Sequence, residues 1–173
     1  MARALSSALP IASVLVVIFM VLNILFGIAI LALLFLLPNR EWIIQALDIA
    51  DSPDIEKFIW GLRSIAGLGV VCIFLNHLIL SRLHAMLKTV QHGDPFVSSN
   101  AYRLQAIAWF LLALQMISLA IEAIGKSIST PENPIELSAG FSPAGWLAVL
   151  LTFVLARVFA QGTLMRRDLE GTV

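Results

Sequence analysis

Residues 82–103, RLHAMLKTVQHGDPFVSSNAYR, form a polar, basic interruption between two strongly apolar segments. The signals in it follow the order expected of a hairpin between two helices. Gly93 comes at the end of the first segment, and glycine is favoured just past a helix end because it tolerates the left-handed conformation. Pro95 has no backbone N–H and disfavours helix at Asp94. Ser98, Ser99 and Asn100 have side chains that accept bonds from the free amides of a new helix. The stretch therefore predicts a helix to about Gln91, a stop at Gly93, a turn through Asp94, Pro95 and Phe96, and a second helix starting within 98–100. Phe96, with Val97 the large apolar residue of the turn, is expected to tuck against the helix ends.

The flanks say what kind of helices these are. Of the 173 residues, 60% are hydrophobic and 13% charged, against about 45–50% and about 25% in a soluble domain. A soluble chain of this size could not bury so much apolar surface, so lipid must cover it. The formal net charge of zero argues against nucleic acid as a direct ligand. The single cysteine, Cys72, lies in an apolar segment and permits neither an internal disulfide nor paired metal-ligand spacing. It reads as a small core residue.

Working outward, the segments on either side of the hairpin span about residues 58–80 and 104–126. Further apolar segments cover 11–37 and 144–162. A bilayer needs about 20 apolar residues, whereas a signal-peptide core has only about 7–15. The first segment, between Pro10 and Pro38, is thus a retained span. Between it and the second, residues 41–50 place Trp42, Ile43, Ala46, Leu47 and Ile49 near helical spacing, which predicts a short surface helix. Ser52-Pro53-Asp54 and Ser142-Pro143 are helix starts, with serine as cap and proline at the first helical position. Residues 127–142, with Pro131, Pro134 and Gly140, read as a loop. The second segment is rich in small residues at its outer half, including Gly61, Gly67 and Gly69, which let helices approach closely. In the third, Gln105, Ala108, Leu112, Gln115, Leu119 and Glu122 share one stripe. A stripe holding two glutamines and a glutamate is expected to face other helices rather than lipid.

With four spans, both termini and the 82–103 hairpin share one side. That side carries Arg3, Arg82, Lys88, Arg103, Arg166 and Arg167; the other carries Arg40, Lys57 and Lys126. The asymmetry predicts cytoplasmic termini.

The hairpin Leu83…Leu87-Lys88-Thr89-Val90-Gln91…Gly93-Asp94-Pro95-Phe96…Asn100…Leu104 and the ending Val158-Phe159-Ala160-Gln161-Gly162…Leu164…Asp168…Gly171-Thr172-Val173 together resemble the bacterial domain-of-unknown-function family 2975. The resemblance covers the four-span layout and nearly the whole chain, and these two motifs are its specific part. It implies a four-helix bacterial membrane protein without an assigned activity. It further implies, as a partner, a small helix-turn-helix regulator held at the membrane. The family has no established catalytic residues to carry over. The tail Arg166-Arg167-Asp168-Leu169-Glu170 is less acidic than the family's.

Several polar residues invite chemistry. His77, Ser81, His84 and Lys88 lie on one face of the second helix. A haem or metal reading meets a geometric obstacle: His77 and His84 are about 10 Å apart along the axis, too far to share one metal. The alternative is a polar face that packs on neighbouring helices and emerges into the cytoplasm. Arg63 and Glu122 are charges inside spans, at similar depth on antiparallel helices, and are expected to form a buried ion pair. Arg157 can snorkel inward or bond to Gln105. No phosphate-binding loop, nucleophile elbow, zincin pair or Cys-x-x-Cys is present. No span is broken by a central proline and no inverted repeat is visible, which argues against a secondary transporter.

The expectation is an all-α integral membrane four-helix bundle, a single four-span domain over 1–173, with a surface helix in its first extracytoplasmic loop. Its place is the bacterial inner membrane, with both termini cytoplasmic. It is read as a non-enzymatic protein without cofactor, contacting the lipid bilayer and binding a cytoplasmic regulatory protein through the hairpin residues Gly93, Asp94, Pro95, Phe96 and Asn100. The alternatives are a small transporter or channel subunit and a haem-binding redox subunit.

Overall fold

The computed structural model describes residues 2–36, 41, 44–45, 55–130 and 139–170. They form four helices: α1 (Ala2–Leu36), α2 (Ile55–Gln91), α3 (Ser98–Ile128) and α4 (Pro143–Glu170). No strand occurs among the described residues. All four helices are long and apolar enough to cross a membrane, over Leu9–Phe35, Ile55–Gln91, Ser98–Ile128 and Pro143–Arg166. The protein is an all-α bundle of four membrane-spanning helices.

Helices adjacent in the chain pack together: α1 on α2, α2 on α3 and α3 on α4. Specific contacts set an antiparallel register for each pair. Gln91 Nε2 donates to the Leu9 carbonyl at 3.3 Å, and a Cβ on Gly27 would come within 3.2 Å of Ile73. Asn100 reaches Thr89, and a Cβ on Gly61 would lie 2.5 Å from Ile128 Cγ2. The T-shaped pair Trp109–Phe153 ties α3 to α4. The start of α1, the turn after α2 and the end of α4 therefore lie at one end, called here the hairpin end.

Two small clusters hold the helices together. Ile55 and Ile59, with Leu34, Phe58 and Leu62 around them, close the far end. Met86, Leu104, Ile107 and Ala156 join α2, α3 and α4 near the hairpin. Outside these clusters, large side chains such as Phe19, Phe26, Phe35, Leu150 and Val154 stay exposed on the protein. Lipid tails are as apolar as these side chains, so association rests on close packing and hydrogen bonds rather than on hydrophobic burial.

Two helix boundaries differ from the sequence expectation. Helix α1 starts at Ala2 and keeps Pro10 inside, although an interior proline removes a backbone bond. Helix α4 does not stop near Gly162 but runs to Glu170, so the charged tail forms its last turns. Its start is as expected: Ser142 Oγ accepts from the Gly145 N–H at 3.1 Å, with Pro143 as the first helical residue. The surface helix over 41–50 lies outside the described residues except for Glu41, Ile44 and Gln45, which are helical. The Ser52-Pro53-Asp54 start lies wholly outside them.

Candidate functional site at the hairpin end

The end of α2 closes as a Schellman motif. The Asp94 N–H reaches back to the Thr89 carbonyl at 3.1 Å and the Gly93 N–H to Val90 at 3.1 Å. Gly93 takes the left-handed conformation this needs, with φ +83°. Helix α3 then begins at Ser98, as expected, but for a different reason. Its N-cap is Val97, in extended conformation with φ −103° and ψ 144°, and no side chain caps it.

Asn100 does other work. It is fully buried at 0% exposure, which is rare for a polar residue unless it is bonded. Its Nδ2 donates to Thr89 Oγ1 at 2.7 Å and to the Pro95 carbonyl at 2.9 Å. Its Oδ1 accepts from Arg103 at 2.8 Å. One amide thus joins the last turns of α2, the turn and the first turns of α3. The sequence assigns Thr89 and Arg103 no bonding role in the turn. The signal was present, since an asparagine just after a turn either caps a helix or bonds across it, but spacing alone does not separate the two.

The hairpin is also tied to α4. Asp94 accepts from Arg166 at 2.7 Å. The Phe96 ring lies 5.3 Å from that of Phe159, and a Cβ on Gly162 would come within 2.9 Å of Phe96. Phe96 is tucked as expected yet remains 42% exposed. The two stretches most distinctive in the sequence, the hairpin and the 158–168 segment, meet at this end. Gly162 makes room for the ring, and Arg166, in the charged tail, is held by Asp94.

On α2, His77, Ser81 and His84 are partly buried and Lys88 is exposed. The Nδ1 atoms of His77 and His84 are buried without a hydrogen-bond partner. Arg82, beside this face, lies 4.6 Å over the Phe110 ring. Among the described residues no three His, Cys, Asp or Glu side chains gather as a metal site.

The glutamine and glutamate stripe of α3 faces protein, as expected, but its neighbour is α4 and the segment before it. Gln115 packs on Gly145 and Glu122 on Gly140. Gly140, with φ +117°, donates its N–H to Ser118 Oγ at 2.9 Å. Glu122 accepts from Lys126 at 2.6 Å, one turn along its own helix. On α2 the Arg63 guanidinium lies 5.3 Å from the Trp60 ring centroid. Glu122 is thus described with Lys126 and Gly140 and Arg63 with Trp60; the Arg63–Glu122 pair stays an expectation. Arg157 and Gln105 do share a cleft between α3 and α4, with no bond between them among the described contacts.

No protein-family model, curated protein or solved structure matches this chain.

Proposed function

We propose that this membrane protein is non-enzymatic and docks a soluble partner on its hairpin end, which faces the cytoplasm. The supporting observation is an exposed turn held from below on three sides. A loop that only connects two spans needs no buried amide, no tie to a third helix and no glycine cut out for its aromatic ring. A docking surface gains from all three, because a preorganised surface loses less entropy on binding. Phe96, anchored on Phe159 and partly exposed, is the apolar contact. Gln91 and His92, both exposed, border it. The basic excess at this end favours the cytoplasmic side.

The resemblance to family 2975, resting on the two motifs that meet here, directs the choice of partner to a helix-turn-helix regulator held at the membrane. Photocrosslinking in cells tests this, with a benzophenone side chain at His92 or Phe96 and, as control, at the lipid-exposed Val154. The expected result is one adduct with a DNA-binding regulator from the first two positions and none from the third. Absence of that adduct, or equal labelling from all three positions, overturns the reading.

A further inference from the structure

Between α3 and α4 at the hairpin end lies a cleft of about 420 Å³, within the usual range for ligand pockets. Ser98, Tyr102 and Gln105 line it from α3 and Arg157 from α4, while Ala156 and Ala160 leave the space between. These four polar side chains are all hydrogen-bond donors, and among the described residues none has a hydrogen bond or ion pair. Arg157 is the telling one. It is exposed on α4, within the segment Pro143–Arg166 that is long and apolar enough to cross a membrane, and a guanidinium facing lipid gains from an anionic partner.

The packing sets its depth. Met86, Leu104 and Ala156 share one cluster. Lys88, Arg103 and Arg157 are one or two residues from these in sequence, so the three cations form a belt at one level. Two carboxylates described at this end are already engaged: Asp94 by Arg166, and Asp168 by a contact of its own. A belt of cations at one level of a membrane protein is where lipid phosphates lie, and basic pockets between helices bind acidic headgroups.

We propose that this cleft holds the phosphate of an anionic membrane phospholipid. Arg157 is its charged contact, Ser98, Tyr102 and Gln105 are neutral donors, and the acyl chains lie along the exposed apolar face of α4. The arrangement gives the phosphate oxygens several donors and gives Arg157 its missing counter-charge, in the paired geometry guanidinium forms with phosphate.

The test is native mass spectrometry of the full chain released from mild detergent with phosphatidylglycerol or phosphatidylcholine. Phosphatidylglycerol should be retained in preference to phosphatidylcholine. Arg157→Gln should lower its retention about tenfold, the scale of one charge-assisted contact. Lys88→Gln, which removes a charge from the belt but not from the cleft, should change it less than about twofold. Tyr102→Phe, a conservative change at an exposed position, should lower retention by a few-fold, and it carries the test if Arg157→Gln does not fold. Three results overturn the proposal: equal retention of the two lipids, equal loss in Arg157→Gln and Lys88→Gln, or displacement of the lipid by millimolar inorganic phosphate. The last result would assign the cleft to a soluble anion.

Discussion

Replacing Asn100 by alanine should be among the most damaging single changes in the hairpin, and the structure says by how much. The substitution removes three hydrogen bonds at once. A neutral bond contributes about 0.5–1.5 kcal/mol net and a bond to a charged group about 1.5–3 kcal/mol. The groups left behind are not equally harmed. Thr89 keeps its donation to the Met86 carbonyl at 2.7 Å. Arg103 is only partly buried and can turn to water. The Pro95 carbonyl loses the amide that Asn100 supplies. The net loss is therefore about 3 kcal/mol, below the sum of the bonds broken. That is a large part of the roughly 5–15 kcal/mol that holds a typical fold. Asn100→Asp should not rescue it, because an oxygen would replace Nδ2 opposite two acceptors, Thr89 Oγ1 and the Pro95 carbonyl. Ser98→Ala is the control: if a serine capped α3, its loss would cost about 1 kcal/mol, but no side chain caps this helix, so the change should stay within about 0.5 kcal/mol. Equilibrium unfolding in mixed micelles, followed by far-ultraviolet ellipticity, reads all three variants. If Asn100→Ala costs no more than Ser98→Ala, or if Asn100→Asp matches the wild type, the bridging role is refuted.

Gly93→Ala places a Cβ on a residue with φ +83° and should cost about 1–2 kcal/mol in the same unfolding assay, although nothing lies within 4 Å to clash with it; a neutral result would mean the turn readily adopts another shape. Gly61→Val should destabilise by about 1–3 kcal/mol through overpacking, since even a Cβ meets Ile128 at 2.5 Å, whereas Gly67→Ala, with open space around it, should be neutral or stabilising; equal losses would show that the α2–α3 approach is looser than described. Asp94→Asn should cost less than about 1 kcal/mol and lose its effect in high salt, because the Asp94 and Arg166 side chains are 52% and 45% exposed; a large, salt-independent loss would contradict this. In a Cys72→Ser background, Asp51→Cys and Glu136→Cys should react with an impermeant thiol reagent from outside the cell while His92→Cys is protected; the reverse pattern would invert the topology.

The sequence alone was enough to read the four spans, the Gly93 stop, the start of α3 within 98–100 and the Ser142 cap. Each depends on a local property. Lipid crossing needs a long apolar run, and a helix end needs a residue that tolerates φ > 0 or lacks an N–H. Such signals are carried by a few neighbouring residues and survive without knowledge of the partner helix. The length of α4 was less legible, because Gly162 reads locally as a stop. In the fold it lies within the helix and admits the Phe96 ring.

What only the tertiary structure decided concerns rotation about the helix axes. The stripe of α3 was visible, but not whether it faced α2 or α4. That choice sets Glu122 against Gly140 and lets Gln105 share a cleft with Arg157. Asn100 could have capped a helix or bridged two, and its complete burial against Thr89 settles the matter. In a chain whose lipid-facing and helix-facing residues are almost equally apolar, hydropathy marks depth but does not mark direction. Direction comes from close contact at the few polar and small residues, and those contacts exist only once the helices are packed.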